Sequence, residues 1–477
     1  MRKRLAVGLL LLALGSMLAA AGSSVVDLSY FDARPVVQAL AEILPTKLRD
    51  KKPAEQQAAW AGWVVEFSSE TRSRMLRGDE DTLVNYLLFG TSYTRQPQLE
   101  ASDFRAVGPS PGSGEILASF APRTQKIVSG RADDLIRALS TPKGDERLLF
   151  FRSLVLQKGL KPGDAGGTEK LKAYMLDNLA RVLKEAAGYA KALAAAKARG
   201  DASAEFVEGS TLFHDRGLSV DTSLPTDYGL EEALKTMKSQ RLLEPDSVVR
   251  VAVIGPGLDF ADKDNGYDFY APQTLQPLAV LESLSRLGLA RKDSIEVTTL
   301  DVNPRVNDHL SRARQQALSG ASYTVQLPRN ARVPWKEGYV RYWEKFGDQL
   351  GSPGPAALPP AGLTDTTVRS VRIRPDVIAR IHPVELNIVT QHLVLPATQR
   401  FDLIIATNVF VYYDLFQQCL ALANVERMLR PGGFLLSNNV LLELPFSKVR
   451  SVAYQATAYS DRPADGDNIV WYRRLPD

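Results

Sequence analysis

The sequence predicts an α/β fold: a mainly parallel sheet alternating with helices in the C-terminal half, preceded by a mostly helical N-terminal domain. Three observations predict it. Val248 to Ile254 is a short β-branched run that breaks at Gly255-Pro256-Gly257, the pattern of a buried parallel strand entering a tight turn. Strand-like and helix-like stretches then alternate, which implies right-handed crossovers within one sheet. Before residue 245 apolar residues recur instead at spacings of three and four, the period of helices that bury one face.

The 477 residues suffice for two or three domains, and a content of 45% apolar and 23% charged residues belongs to a folded chain. A net charge of +4, from 58 basic and 54 acidic residues, is too small on this surface to indicate a nucleic-acid partner.

From the N-terminus, Arg2, Lys3 and Arg4 precede an apolar run from Leu5 to Ala21 that closes on small residues. Residues 1–22 therefore read as a bacterial signal peptide or an uncleaved anchor, with the rest exported to the periplasm or held at the inner membrane facing it. Contact with a membrane is expected through this segment alone. Residues 23–245 form the helical domain, with helical stretches at Val36 to Leu48, Ala58 to Phe67, Thr82 to Leu88 and Glu169 to Arg199, and loops at Gly108 to Gly114 and Lys161 to Gly167. No catalytic constellation stands out in it. Cys419, the one cysteine, lies in an apolar helical stretch and reads as a core thiol.

Residues 246–477 form the α/β domain. After the first strand come a helix from Leu275 to Leu287, a strand from Ile295 to Leu300 ending at Asp301, and a helix from about Arg305 to Leu318. An insertion at about 320–383, rich in aromatic residues and proline, is expected to lie outside the sheet. The sheet is expected to resume at Glu385 to Thr390, then Phe401 to Asn408, a helix from Leu415 to Leu429, and Phe434 to Ser437 after the turn Arg430-Pro431-Gly432-Gly433. Val449 to Tyr459 and Asn468 to Arg473 supply a closing antiparallel pair.

In an open α/β sheet the ligand lies across the carboxyl ends of the strands. Gly255 and Gly257 end the first strand, where a bare backbone admits close approach, and Asp301 ends the second. Asp301 reads either as an acceptor for a ribose diol or as a cap for the following helix. Asn408 ends a later strand, just before Tyr412, Tyr413 and Asp414. Asp259, Asp262, Asp264 and Asp268 form an acidic loop better read as a solvated lid than as a cation site, and no metal is expected.

The segment FDLIIATNVFVYYD (401–414) followed by LRPGGFLLSNN (429–439) resembles the fourth and fifth strands of the class I S-adenosylmethionine (SAM) methyltransferases, which have a Rossmann-like fold. Over residues 385–439 it is most similar to the chemotaxis-receptor (CheR-type) protein-glutamate methyltransferases, and NIVTQHLVLPA (387–397) is similar to the preceding strand and loop of that family. The resemblance implies SAM as cofactor, held by Gly255, Pro256, Gly257, Asp259, Asp301, Val302, Gln391, His392 and Asn408. Asn408, Tyr412 and Tyr413 are then the candidates on the side of the methyl acceptor, an O or N nucleophile on an unspecified protein or small molecule. The chain departs from the family in three places: Val253 stands where an acidic residue is usual, Asp259 where a third glycine is common, and Thr407 where the receptor enzymes use an arginine. These departures, with the export signal, keep open an alternative: an exported, non-catalytic Rossmann-like module that binds a ligand or a protein.

Overall fold

The computed structural model describes residues 24–99, 101–104, 116–164, 166–199, 206–207, 209, 211, 213–214, 216–222, 224–260, 265–462 and 465–476. The expected signal segment, the loop at Gly108 to Gly114, and Asp262 and Asp264 lie outside the described residues. In chain order the main elements are β1 (Ser24–Asp27), α1 (Tyr30–Ala39), α2 (Pro53–Phe89), α3 (Pro122–Ser140), α4 (Glu146–Gln157), α5 (Gly167–Arg199) and α6 (Leu224–Ser239). Then follow β2 (Arg250–Ile254), α7 (Gln276–Arg286), β3 (Glu296–Asp301), α8 (Pro304–Leu318), β4 (Tyr323–Asn330), α9 (Glu337–Lys345), β5 (Gly351–Pro353) and β6 (Thr366–Ile373). The last are β7 (Ile381–Glu385), β8 (Gln391–Val394), β9 (Phe401–Ala406), α10 (Leu415–Met428), β10 (Leu429–Ser437), β11 (Val449–Ala458) and β12 (Gly466–Arg474).

Seven strands form one Rossmann-like sheet in the order β11-β12-β10-β9-β2-β3-β7, with β12 alone reversed. β2 lies inside the sheet, paired in parallel with β3 and β9. Because successive side chains of a strand point to opposite faces, Val251 and Val253 enter one apolar cluster while Ala252 and Ile254 enter another. The first face is covered by α6, α7 and α8, through residues such as Leu234, Leu281 and Leu310.

The second face is covered by α10 and by the start of the chain. Val36 and Val37 of α1 and Trp60, Trp63 and Phe67 of α2 share a core with Ile404, Leu435 and Phe416, and Trp63 meets the Phe416 ring edge-on at 5.5 Å. The first N-terminal helices thus form a layer of the sheet domain, and α6, also before residue 245, packs on β11 and β12. The expected separate helical stretches from Ala58 to Phe67 and Thr82 to Leu88 are one helix, α2, of 37 residues, about 55 Å long at 1.5 Å per residue. Its second half packs in a bundle with α3, α4 and α5, through Leu83, Tyr86 and Leu87. Arg131 of α3, fully buried, donates to the carbonyls of Leu87, Gly90, Gln96 and Pro97, so one cation ties the end of α2 to the segment that follows it.

Two expectations about the sheet need correction. The third strand is β7, Ile381–Glu385, rather than Glu385 to Thr390, so the insertion ends near residue 380. Pro383 is tolerated inside β7 because this is an edge strand with one ladder to satisfy. β8 is not in this sheet; it pairs antiparallel with β1, Ser24 opposite Val394. The insertion itself folds as a three-stranded antiparallel sheet, β4-β6-β5, with α9 beside it. Among the described residues no helix is long and apolar enough to cross a membrane.

Because Trp63 is 4% exposed between α2 and α10, Trp63→Ala should cost about 3–5 kcal/mol in urea denaturation. Probes of helix bundle and sheet should lose structure at the same urea concentration. Separate transitions would show that the N-terminal layer is dispensable to the sheet.

Candidate functional site

A cleft opens at the carboxyl ends of β2, β3 and β9. Its floor is the turn after β2, where Gly255 and Gly257 both adopt the left-handed backbone, at φ +63° and +65°, a conformation that costs glycine nothing. The Gly255 amide donates to Leu300 O, tying the turn to β3. Asp301, at the end of β3, is 8% exposed and borders the cleft. Burial pushes its carboxyl up to about 7, against the pull of backbone amides at Asn303, Gly257 and Val302. The helix cap is not Asp301 but Asn303, whose side chain accepts from Arg305 N at 3.0 Å.

On the β9 side, Asn408 is held in the left-handed region at φ +57°, which asparagine tolerates better than most residues. Its amide donates to Asn438 Oδ1 at 2.8 Å and its Oδ1 accepts from Asn438 Nδ2 at 2.7 Å. Tyr412 and Tyr413 complete this wall, and burial raises the Tyr413 hydroxyl to about 12, so it stays protonated at neutral pH. Asp414 turns away to cap α10, accepting from Gln417 N.

The roof comes from the N-terminal half. Leu218 to Thr222 crosses above the glycine turn, and Val220 O accepts from Leu258 N at 2.6 Å. Arg74 of α2 anchors this strap through bonds to Phe213 O, Arg216 O and Tyr412 O. Glycine is required where strap and helix cross: a Cβ on Gly78 would lie 2.0 Å from Leu218 O. At the inner wall Gln276 donates to Thr407 Oγ1 at 2.7 Å and to Asp227 Oδ1 at 3.3 Å. Gln276 Oε1 and Asp227 Oδ2 are buried without a partner, and burial lifts Asp227 to about 8. Just outside, Arg305 pairs with Asp79 of α2 at 2.7 Å and stacks on Phe150.

Of the residues singled out from sequence, Gly255, Gly257, Asp301, Val302, Asn408, Tyr412 and Tyr413 come together around this cleft, with Pro256 in the turn between the glycines. Three do not. Asp259 borders a neighbouring cleft. Gln391 and His392 lie on β8, where Gln391 bonds to Asp27 and His392 stands opposite Val26; the strand they were expected to follow ends at Glu385, and the chain has left the cleft by then. Asp268, of the acidic loop, accepts from Thr91 and Ser92 just beyond α2 and so ties that loop to the bundle. Cys419 is buried and its thiol is raised to about 12. Sequence reasoning missed Met75, the strap, Thr226 and Gln276, because nothing local marks residues that reach a site from another layer.

No family model and no curated protein matches the chain. Among solved structures, about half of it is similar to the N-methyltransferase NodS from Bradyrhizobium japonicum WM9, at 15% identity over 52% of this chain and 99% of that one, with a TM-score of 0.24. It is also similar to the glycopeptide N-methyltransferase MtfA complexed with S-adenosyl-L-homocysteine (12% identity, 52% and 90% covered, TM-score 0.25). A third is a TehB-like SAM-dependent methyltransferase from Corynebacterium glutamicum (9% identity, 53% and 100% covered, TM-score 0.22).

Two outcomes separate the roles of Asp301 and Asn303. Asn303→Ala should lower stability by about 1 kcal/mol, the usual worth of an N-cap, in urea denaturation. Asp301 is raised from 3.8 to about 7 in the folded chain, so from about pH 4 to about pH 7 the unfolded chain has released a proton that the folded chain keeps. Its contribution is therefore present at low pH and lost as the pH rises through about 7. Asp301→Asn should remove that part of the slope; a wild-type and variant difference that does not change between pH 4 and 8 would contradict the burial of this carboxyl.

Proposed function

We propose that the cleft binds SAM and that the chain transfers its methyl group to a nitrogen or oxygen nucleophile. The observation that carries this reading is Asp301: a buried carboxyl at the end of β3, beside the glycine turn of β2, in the crevice where doubly wound sheets bind nucleotides. There it accepts the two hydroxyls of a ribose. The cleft fits the rest of the molecule by charge. Its described lining holds two acidic residues, Asp221 and Asp301, and no Lys or Arg, which suits a ligand carrying a sulfonium and an ammonium. The unpaired Gln276 Oε1 offers a further acceptor.

SAM supplies an electrophilic methyl carbon that a nucleophile takes in line as the carbon–sulfur electron pair returns to sulfur. Such a transfer depends on alignment more than on a strong acid or base, and the chain's part is correspondingly one of placement. The strap covers the glycine turn, and the Asn408–Asn438 pair fixes the β9 loop. Tyr412 and Tyr413 wall the cleft on the β9 side. Thr407, where the receptor methyltransferases have an arginine, is committed to Gln276, so a glutamyl receptor substrate does not follow from the resemblance.

One observation favours the second reading, a ligand-binding module without catalysis. The Gly257 amide is engaged by Asp301 and the strap carbonyl Val220 O lies over the turn, so the backbone donors at this turn are already committed. Calorimetric titration with SAM and with S-adenosylhomocysteine decides between them. On the methyltransferase reading both bind, and Asp301→Asn weakens binding by about one to two orders of magnitude, since hydrogen bonds to a charged group contribute about 1.5–3 kcal/mol. No binding at millimolar SAM, or equal affinity in the variant, would overturn the cofactor assignment.

A further inference from the structure

A second cleft lies beside the first, and Thr222 borders both. Three segments build it: the strap end with the start of α6 (Thr222, Leu224), the loop after the glycine turn (Asp259, Tyr270), and the insertion (Trp335, Tyr339). A doubly wound sheet needs no insertion to form the first cleft. It needs this one to form the second.

Asp259, 5% exposed, stands at the side of this cleft. Its Oδ2 accepts from Tyr270 Oη and Gln273 Nε2, both at 2.8 Å. Gln273 is itself locked to β4, donating to Gln326 O and accepting from Gln326 N. Asp259 Oδ1 is buried with no partner. Two cations stand near: Arg147 is turned to the carbonyls of Phe260, Asp268 and Tyr270 while its charge still acts on Asp259, and Arg329, stacked on Trp343, borders the cleft. A buried carboxylate oxygen left unpaired opposes folding and persists where a ligand completes it. Opposite stand two rings, Trp335 and Tyr339, with centroids 4.6 Å apart. Tyr339 is held edge-on by Tyr228, and Trp335 is fixed by its Nε1 donating to Asn330 O while staying half-buried.

A lone carboxylate oxygen and ring faces share one preference. Both attract a cation that carries hydrogen-bond donors. We propose that the second cleft is the acceptor subsite and takes a small organic amine with a flat apolar body, its nitrogen bonded to Asp259 Oδ1 and its body against Trp335 and Tyr339. The assignment of this amine as methyl acceptor rests on the SAM reading; its binding does not.

The test is calorimetric titration of the chain with 2-phenylethylamine and, in parallel, its neutral isostere 2-phenylethanol, followed by S-adenosylhomocysteine. The amine should bind at least about tenfold more tightly than the alcohol. Asp259→Asn should bring the two affinities together, and Trp335→Ala should weaken both while leaving the amine ahead. Equal affinities in the wild type, a preference that survives Asp259→Asn, or unchanged amine binding in Trp335→Ala would each overturn the proposal. Because Trp335 is half-buried, that variant keeps the test open if Asp259→Asn fails to fold. Amine binding without S-adenosylhomocysteine binding would leave the amine site standing and remove the methyl-transfer reading; the reverse result would do the opposite.

Discussion

A parallel sheet has two apolar faces and must bury both. In this chain β2 and β9 are buried along almost their whole length and β3 over its last three residues, so neither face of the sheet meets water there, and the local crossover helices cover only part of the second one. The remainder is covered by α1 and the first half of α2, brought back from the N-terminus and held by Trp60, Trp63 and Phe67. Much else follows from that requirement. The same long helix passes over the carboxyl edge of the sheet, carries Arg74 and Asp79 to the site, and continues into the bundle with α3, α4 and α5. Cleft, roof and bundle are therefore attached to one rod.

What the sequence made legible was whatever is encoded within a few residues. β2 with its glycine turn, β3 ending in Asp301, α8, β9, α10 and the closing antiparallel pair all stand within a few residues of their expected positions. Each is marked by its own apolar period and its own breaker. The failures share one cause: they depend on partners distant in the chain. Gln391 and His392 were placed by analogy to a strand that, around Pro383, lies a few residues earlier. The N-terminal helices read as a separate domain because an amphipathic helix does not announce which apolar surface it will meet. The strap at Leu218 to Thr222 has no period at all, and its role is visible only in Leu258 N to Val220 O.

The site keeps several carboxyls out of water, and they differ in how they are accommodated. Asp301 has backbone amides and a pKa near neutrality, Asp227 is raised further with a single glutamine for company, and Asp79 is balanced by Arg305 and raised to about 6. Buried acids of this kind oppose folding, and they cluster where a chain has a use for charge. That three of them gather around the first cleft, and an unpaired fourth beside the second, sets this edge of the sheet apart from the apolar layers behind it.

The pairing of β1 with β8 has a consequence for how the chain acquires its shape. Ser24 to Asp27 joins Gln391 to Val394, and Leu28 bonds to Thr390, so the first described residues have no partner until almost all the rest of the chain exists. Contacts this far apart in sequence close slowly, because the whole intervening loop must be ordered first. Until then Trp60, Trp63 and Phe67 have no sheet to lie on.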